Sequence, residues 1–305
     1  MSPEFPKALK VGRAIQKHRY SGAFEIMALA HYENGQLDKA IQVLREGVRK
    51  TPRVWLLWQQ LGNYLSDKNR HRDAQRAYQQ ALKCPGTDEA SVQLNIAIDL
   101  SRTGHGAKAL KLCDSLSDSP LRLKALALKT QLLVERRQFD QAITLAERLI
   151  EESGRKAKRA ADVTEDLSRV YVCLAEAQWR RKTEKAVIVS NLKKALELHR
   201  LNKETLWLLR EVNGELSAKS QYFRLMVEGR WDGPLEGKRG TPGFFTTYDV
   251  VAEDRDEALR FVKEIERAGI RDSLAVAECK ALEKRPREPK GVYRVTGFCL
   301  YPTRK

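Results

Sequence analysis

The stretch Trp58-Gln59-Gln60-Leu61-Gly62-Asn63-Tyr64, followed by Ala74, Tyr78 and Ala81 and closed by Pro85, decides how this chain folds. Two helices that cross closely need small residues at the crossing, larger apolar residues on the faces that stack, and a breaker after the second helix. Here Gly62, Ala74 and Ala81 are small, Trp58, Leu61 and Tyr78 are large, and Pro85 is the breaker. The arrangement recurs on both sides. Residues 36–48, 70–82, 106–118 and 138–150 each hold an alanine at the same place, Ala40, Ala74, Ala109 and Ala142, at intervals of 34, 35 and 33 residues. A period of this size marks stacked helical units, none of which can bury its apolar face alone.

In the unit before, Phe24, Met27 and Ala28 begin one helix, Gly35 interrupts it, Leu37, Ala40 and Leu44 run along the next, and Pro52 ends the pair. The third unit keeps Ile96, Ala97, Gly104 and Ala109, whereas the fourth keeps Phe139 and Ala142 but has Thr130 where a small residue belongs. This set of residues resembles the tetratricopeptide repeat (TPR) signature over residues 21–152, with Tyr64 one place early. The resemblance implies an α-helical, right-handed solenoid that serves as a protein-interaction scaffold. A fifth pair is expected at 163–181 and 184–199, displaced by the basic segment 154–161. Residues 202–217, with Leu206, Leu209, Val212 and Leu216 at helical spacing, are expected to cap the end of the stack, and the basic helical segment 1–20 its front.

After Ser217 the apolar period changes from helical to alternating. Phe223, Leu225 and Val227 alternate with Arg224 and Glu228, and residues 244–253 are rich in aromatic and β-branched side chains, so both read as strands. Asp254 and Glu257 are spaced to cap a helix reciprocally, and Ala258, Phe261, Val262 and Ile265 share one face of it. Strands at 274–282 and 291–301 complete a small α+β domain over residues 218–305, in the order strand-strand-helix-strand-strand. The Gly-Phe-Phe-Thr-Thr run that starts at Gly243 and the acidic start of the helix resemble bacterial immunity-type modules, with no residue roles carried across. The expected domains are therefore 1–20, 21–217 and 218–305.

The 305 residues are 42% hydrophobic, enough for sizeable cores, and 56 basic against 40 acidic residues give a net charge of +16. Most of that excess lies in the helical part, since residues 218–305 hold 18 basic and 14 acidic residues. No apolar run approaches the roughly 18 residues of a membrane span, and the first ten residues lack a signal-peptide stretch, so the expected compartment is the cytoplasm and no membrane partner is expected. Cys84, Cys113, Cys173, Cys279 and Cys299 are odd in number and widely spaced, which points to buried reduced thiols and away from zinc or a disulfide scaffold. His18, His31, His71, His105 and His199 have no second histidine at ligand spacing, and neither H-E-x-x-H nor G-x-S-x-G occurs. Gly237-Lys238 invites comparison with a phosphate loop. Three residues separate Gly233 from Gly237 where four are needed, and Arg239 replaces the hydroxyl, so the stretch reads as a strand connection. No enzyme activity and no cofactor are expected.

In such a stack the first helix of each pair lines a concave groove. Projection of the repeat turns Glu25, Leu29, Tyr32, Gln59, Asn63, Asn95, Ile98 and Lys124 toward it, and Tyr32, Gln59, Asn63, Asn95 and Lys124 are the candidate partner-binding residues. One subset of TPR proteins grips a terminal carboxylate there. Asn63, Asn95 and Lys124 match that subset, but Gln59 and Leu128 replace its first lysine and its arginine, so two of three charges are lost. Lys156, Lys158 and Arg159 form a candidate basic patch for phosphates. The reading is a bacterial, non-catalytic adaptor that binds a peptide or partner protein in the groove. Two alternatives remain open: an immunity-type inhibitor whose tail domain occludes a toxin, and a nucleic-acid-binding protein that uses the basic solenoid.

Overall fold

The structure is a computed structural model, and it describes Lys10 and residues 21–154, 161–231 and 242–301. The front segment 1–20 apart from Lys10, the patch Lys156, Lys158 and Arg159, and the glycine-rich connection from Gly233 to Gly240 lie outside the described residues. The chain forms two compact units, Met1–Leu132 and Leu133–Lys305.

The first unit is a run of helical hairpins. Helices α1 (Ser21–Glu33) and α2 (Leu37–Lys50), α3 (Trp55–Asp67) and α4 (His71–Leu82), α5 (Glu89–Arg102) and α6 (Gly106–Ser115) follow in pairs, and α7 (Arg122–Glu135) begins the next. The crossing of α3 and α4 shows why the signature residues are what they are. A Cβ on Gly62 would overlap the fully buried ring of Tyr78, so glycine alone lets the backbone approach it. Ala40, Ala74 and Ala109 are fully buried at equivalent places. Around Ala40 and Ala74, Phe24, Leu44, Leu57, Leu61 and Tyr78 share one apolar core, whereas Ala109 packs in another with Ala97, Leu100 and Leu132. Thr130 fits its small-residue place because its buried hydroxyl donates back to Leu126 O at 2.8 Å, which satisfies the polar atom inside its own helix.

The second unit continues with α8 (Phe139–Gly154), α9 (Ala161–Arg180), α10 (Lys185–Leu198) and α11 (Lys203–Asn213). Asn202 caps α11 by accepting from the Thr205 N–H at 3.1 Å. The helix stops at Asn213 because Gly214 turns left-handed, with φ +62°, so Leu216 stands exposed beyond it instead of on its apolar face as the spacing predicts. Strands β1 (Gln221–Arg230) and β2 (Gly243–Ala252), helices α12 (Arg255–Ile265) and α13 (Ala268–Arg271), and strands β3 (Ala275–Lys284), β4 (Gly291–Val295) and β5 (Cys299–Tyr301) complete the unit. The sheet is antiparallel in the order β3-β1-β2-β4, with β5 also pairing with β2.

Two details differ from the expected order. The short helix α13 precedes β3, and the last strand is split into β4 and β5. The split falls where Phe298 turns edge-on to Phe244 and Trp231, at centroid distances of 4.7 and 5.0 Å, and so leaves the strand's alternation. The α12 cap forms with Asp254 accepting from the Glu257 N–H at 2.8 Å, while Glu257 accepts from the Glu253 N–H at 2.7 Å.

Helix gives way to strand after Ser217, but the packing does not divide there. One apolar core holds Val172, Ile188, Leu192, Leu206 and Leu208 of the helices together with Phe223, Leu225, Tyr248, Val250, Phe261 and Val262 of the sheet and α12. Polar bonds follow the same course. Arg200, between α10 and α11, donates to Glu266 at 2.8 Å, to the Tyr248 hydroxyl at 2.6 Å and to Thr296 O at 2.5 Å. Arg210 of α11 donates to Val292 O at 2.6 Å and lies 3.8 Å over the Tyr293 ring. Lys290 bonds Glu257 at 2.8 Å and approaches Glu215 and Glu253 at 3.5 and 3.7 Å.

The cysteines are free. Cys113 is buried, Cys84, Cys173 and Cys279 are half-buried, and Cys299 is exposed on the short edge piece β5, against the expectation that all are buried. Burial pushes the Cys113 thiol up to about 11 and the Cys173 thiol up to about 12.

A fragment of residues 133–305 should give a dispersed amide spectrum, whereas residues 218–305, stripped of Leu206, Leu208 and Arg200, should give a collapsed one. Dispersion in the shorter fragment would show that the sheet and α12 suffice by themselves. A second test concerns pH. Burial alone would raise the Glu257 carboxyl, but bonds from Lys290 and the Glu253 N–H outweigh it and hold the group below the ordinary 4.5. Its stabilisation is therefore present above pH 4.5 and lost as pH falls through the lower folded value. Glu257→Gln should cost about 1 kcal/mol at neutral pH in urea unfolding, water reaching part of the pair, and the difference should fade in acid.

Candidate functional site

The first helices α1, α3 and α5 stand side by side and are tied to one another by side chains. Tyr32 of α1 stacks flat on Tyr64 of α3, with centroids 4.6 Å apart and planes 5° from parallel, and its hydroxyl donates to Asp67 Oδ2 at 3.1 Å. Asp67 also accepts from Arg102 Nη1 of α5 at 2.9 Å. Next to it, Ser66 donates to Asp99 Oδ1 at 2.6 Å, and His71 Nδ1 meets the same oxygen at 2.8 Å. One turn pair earlier, Gln59 Nε2 donates to Ser91 Oγ at 2.7 Å. Burial pushes the Tyr64 phenol up to about 12, and the bond to Asp67 raises that of Tyr32, so both stay protonated at neutral pH.

The candidate residues divide by environment. Gln59 is buried and held by Ser91, and Asn63 is half-buried with its Oδ1 accepting from the Tyr78 hydroxyl at 2.9 Å, which fastens α3 to α4. Asn95 is half-buried on α5, and its side chain has no hydrogen bond among the described residues. Lys124 is half-buried on α7. Ser66, Asp67, Asp99 and Arg102 were not singled out by the repeat pattern. A signal existed, because Asp67 and Arg102 are 35 residues apart, one unit, and so place opposite charges at equivalent positions.

In the second unit a cleft of about 370 Å³ is lined by Lys193 of α10, by Arg260, Lys263 and Glu264 of α12, and by Arg271. With Asp256 also in the lining, four basic side chains face it against two carboxylates. No three metal-ligating side chains cluster among the described residues, and none of their helices is long and apolar enough to cross a membrane.

No family model matches the sequence, and neither does any curated protein. Solved structures do. PilW, a widely conserved type IV pilus biogenesis factor, is 18% identical over 64% of this chain and 84% of its own, with a TM-score of 0.52. PilF of Pseudomonas aeruginosa is 15% identical over 64% of this chain and 83% of its own, with a TM-score of 0.50. The helical part of this chain has the TPR fold. A TPR repeat-containing protein of Cytophaga hutchinsonii is also similar, at 16% identity over 69% of this chain and 80% of the part solved, with a TM-score of 0.48. The TPR stack is followed by the antiparallel sheet and α12 described above.

Asn63→Ala should lower the stability of the full chain by about 1 to 2 kcal/mol in thermal unfolding, because the Tyr78 hydroxyl loses its acceptor. Asn95→Ala should stay within about 0.5 kcal/mol. Equal losses would deny the division drawn between the two asparagines.

Proposed function

We propose that this protein is a non-catalytic interaction scaffold that holds an extended or helical segment of a partner protein against the inner face of α1, α3, α5 and α7. The observation that carries the reading is the chain of side-chain bonds across successive first helices, Tyr32 to Asp67, Arg102 to Asp67, Ser66 to Asp99 and Gln59 to Ser91. They stiffen the wall of the groove before any partner arrives, so little order remains to be gained on binding. On that wall Asn95 keeps its donors and acceptor available to a peptide backbone, with Lys124 and Tyr32 on either side along the stack. The five free cysteines support a reducing compartment such as the cytoplasm.

A tagged full chain used as bait in the native host, with mass spectrometry of what is retained, supplies the partner. Calorimetry of that partner against Asn95→Ala should show a loss of about 1 to 3 kcal/mol while the melting curve barely moves. Undiminished affinity in the folded variant transfers recognition to the second unit and favours the toxin-inhibitor reading. Retention that collapses steeply with salt and follows nucleic acid would favour the third.

A further inference from the structure

Helix α1 carries an unusual surface for a chain of net charge +16. At about 100° per residue, Tyr32, Glu25, Leu29, Glu33 and Ile26 fall within roughly one third of the helix circumference. On that arc Leu29 is 52% exposed, Ile26 39% and Tyr32 38%. Elsewhere among the described residues no helix exposes more than one large apolar side chain. Glu25 and Glu33 flank them, and α1 contains neither lysine nor arginine. The Tyr32 ring is pinned on Tyr64 and at its hydroxyl, so one wall of the patch is already rigid. Partial burial of Glu25 raises its carboxyl, the mark of a carboxylate short of water that a cation would stabilise.

Resting on the groove reading above, we infer that α1 forms its specificity end and selects a partner segment in which an aliphatic side chain is flanked by lysine or arginine. The aliphatic group covers Leu29 and Ile26 against the edge of Tyr32. The methylene stems of the flanking residues extend over the same apolar surface while their charged heads reach Glu25 and Glu33. A segment with acidic neighbours would set like charges opposite both carboxylates, so the site discriminates by repulsion as well as attraction.

The test uses the full chain and two fluorescein-labelled dodecapeptides of the same glycine and serine frame, one with Lys-Leu-Arg-Leu-Lys at its centre and the other with Glu-Leu-Asp-Leu-Glu. Fluorescence anisotropy should show the basic peptide binding at least about tenfold more tightly. Glu25→Gln/Glu33→Gln should remove most of that preference, and Leu29→Ser should weaken the basic peptide by about tenfold with an unchanged melting curve, the side chain being exposed. Equal binding of the two peptides, no binding of either, or a preference that survives the loss of both carboxylates overturns the inference. If in that last case Asn95→Ala abolishes binding, the groove reading stands and only the role given to α1 falls.

Discussion

Where Gly62 meets the ring of Tyr78 there is no space for a single methyl group, and the TPR stack depends on that closeness. Two helices joined by a tight turn bury their facing sides only if their backbones come near enough for the large residues around the crossing to interlock. The repeated alanines hold the same position in neighbouring pairs, and they are buried as completely as the tyrosine. The polar bonds between first helices come second in this order of causes, since they form between helices that apolar packing has already set side by side.

This hierarchy explains what could be read in the sequence. Small residues at an interval of about 34 are a property of a close crossing, which admits few substitutes, so the helical pairs were legible one by one. Thr130 looked like a fault in the pattern and is not, because a helix can absorb one hydroxyl by turning it onto its own carbonyl. The groove was harder. Gln59 and Asn63 lie on the first helix of their pair, yet each bonds inside the fold, and projection of a repeat distinguishes which way a residue points but not whether a neighbour takes it. Leu29 and Tyr32 stand exposed where projection places them outward, since the first helix has no earlier first helix beside it among the described residues.

The second unit shows what alternation of apolar residues leaves unsaid. The strands and α12 emerged from local pattern, but their dependence on α9, α10 and α11 rests on contacts between residues far apart in sequence, such as Arg200 with Glu266, Tyr248 and Thr296. A guanidinium withdrawn from water is tolerated only when its N–H groups are answered, and these are answered from the helix end, the sheet and the loop after β4 at once. Glu266 is itself buried and shares its oxygen with the Tyr248 hydroxyl, so the cluster is complete only when every element has arrived.

The shared core also has a consequence for the growing chain. Leu192, Leu206 and Leu208 leave the ribosome well before Phe223, Val250 and Val262, which pack in the same core. At the usual 5–20 residues per second, roughly 4 to 15 seconds of synthesis separate the start of β1 from the end of β4. During that interval the last helices present an adhesive, unfinished face to the cell, and a ribosome that stalled just after Ser217 would release a product with that face permanently bare.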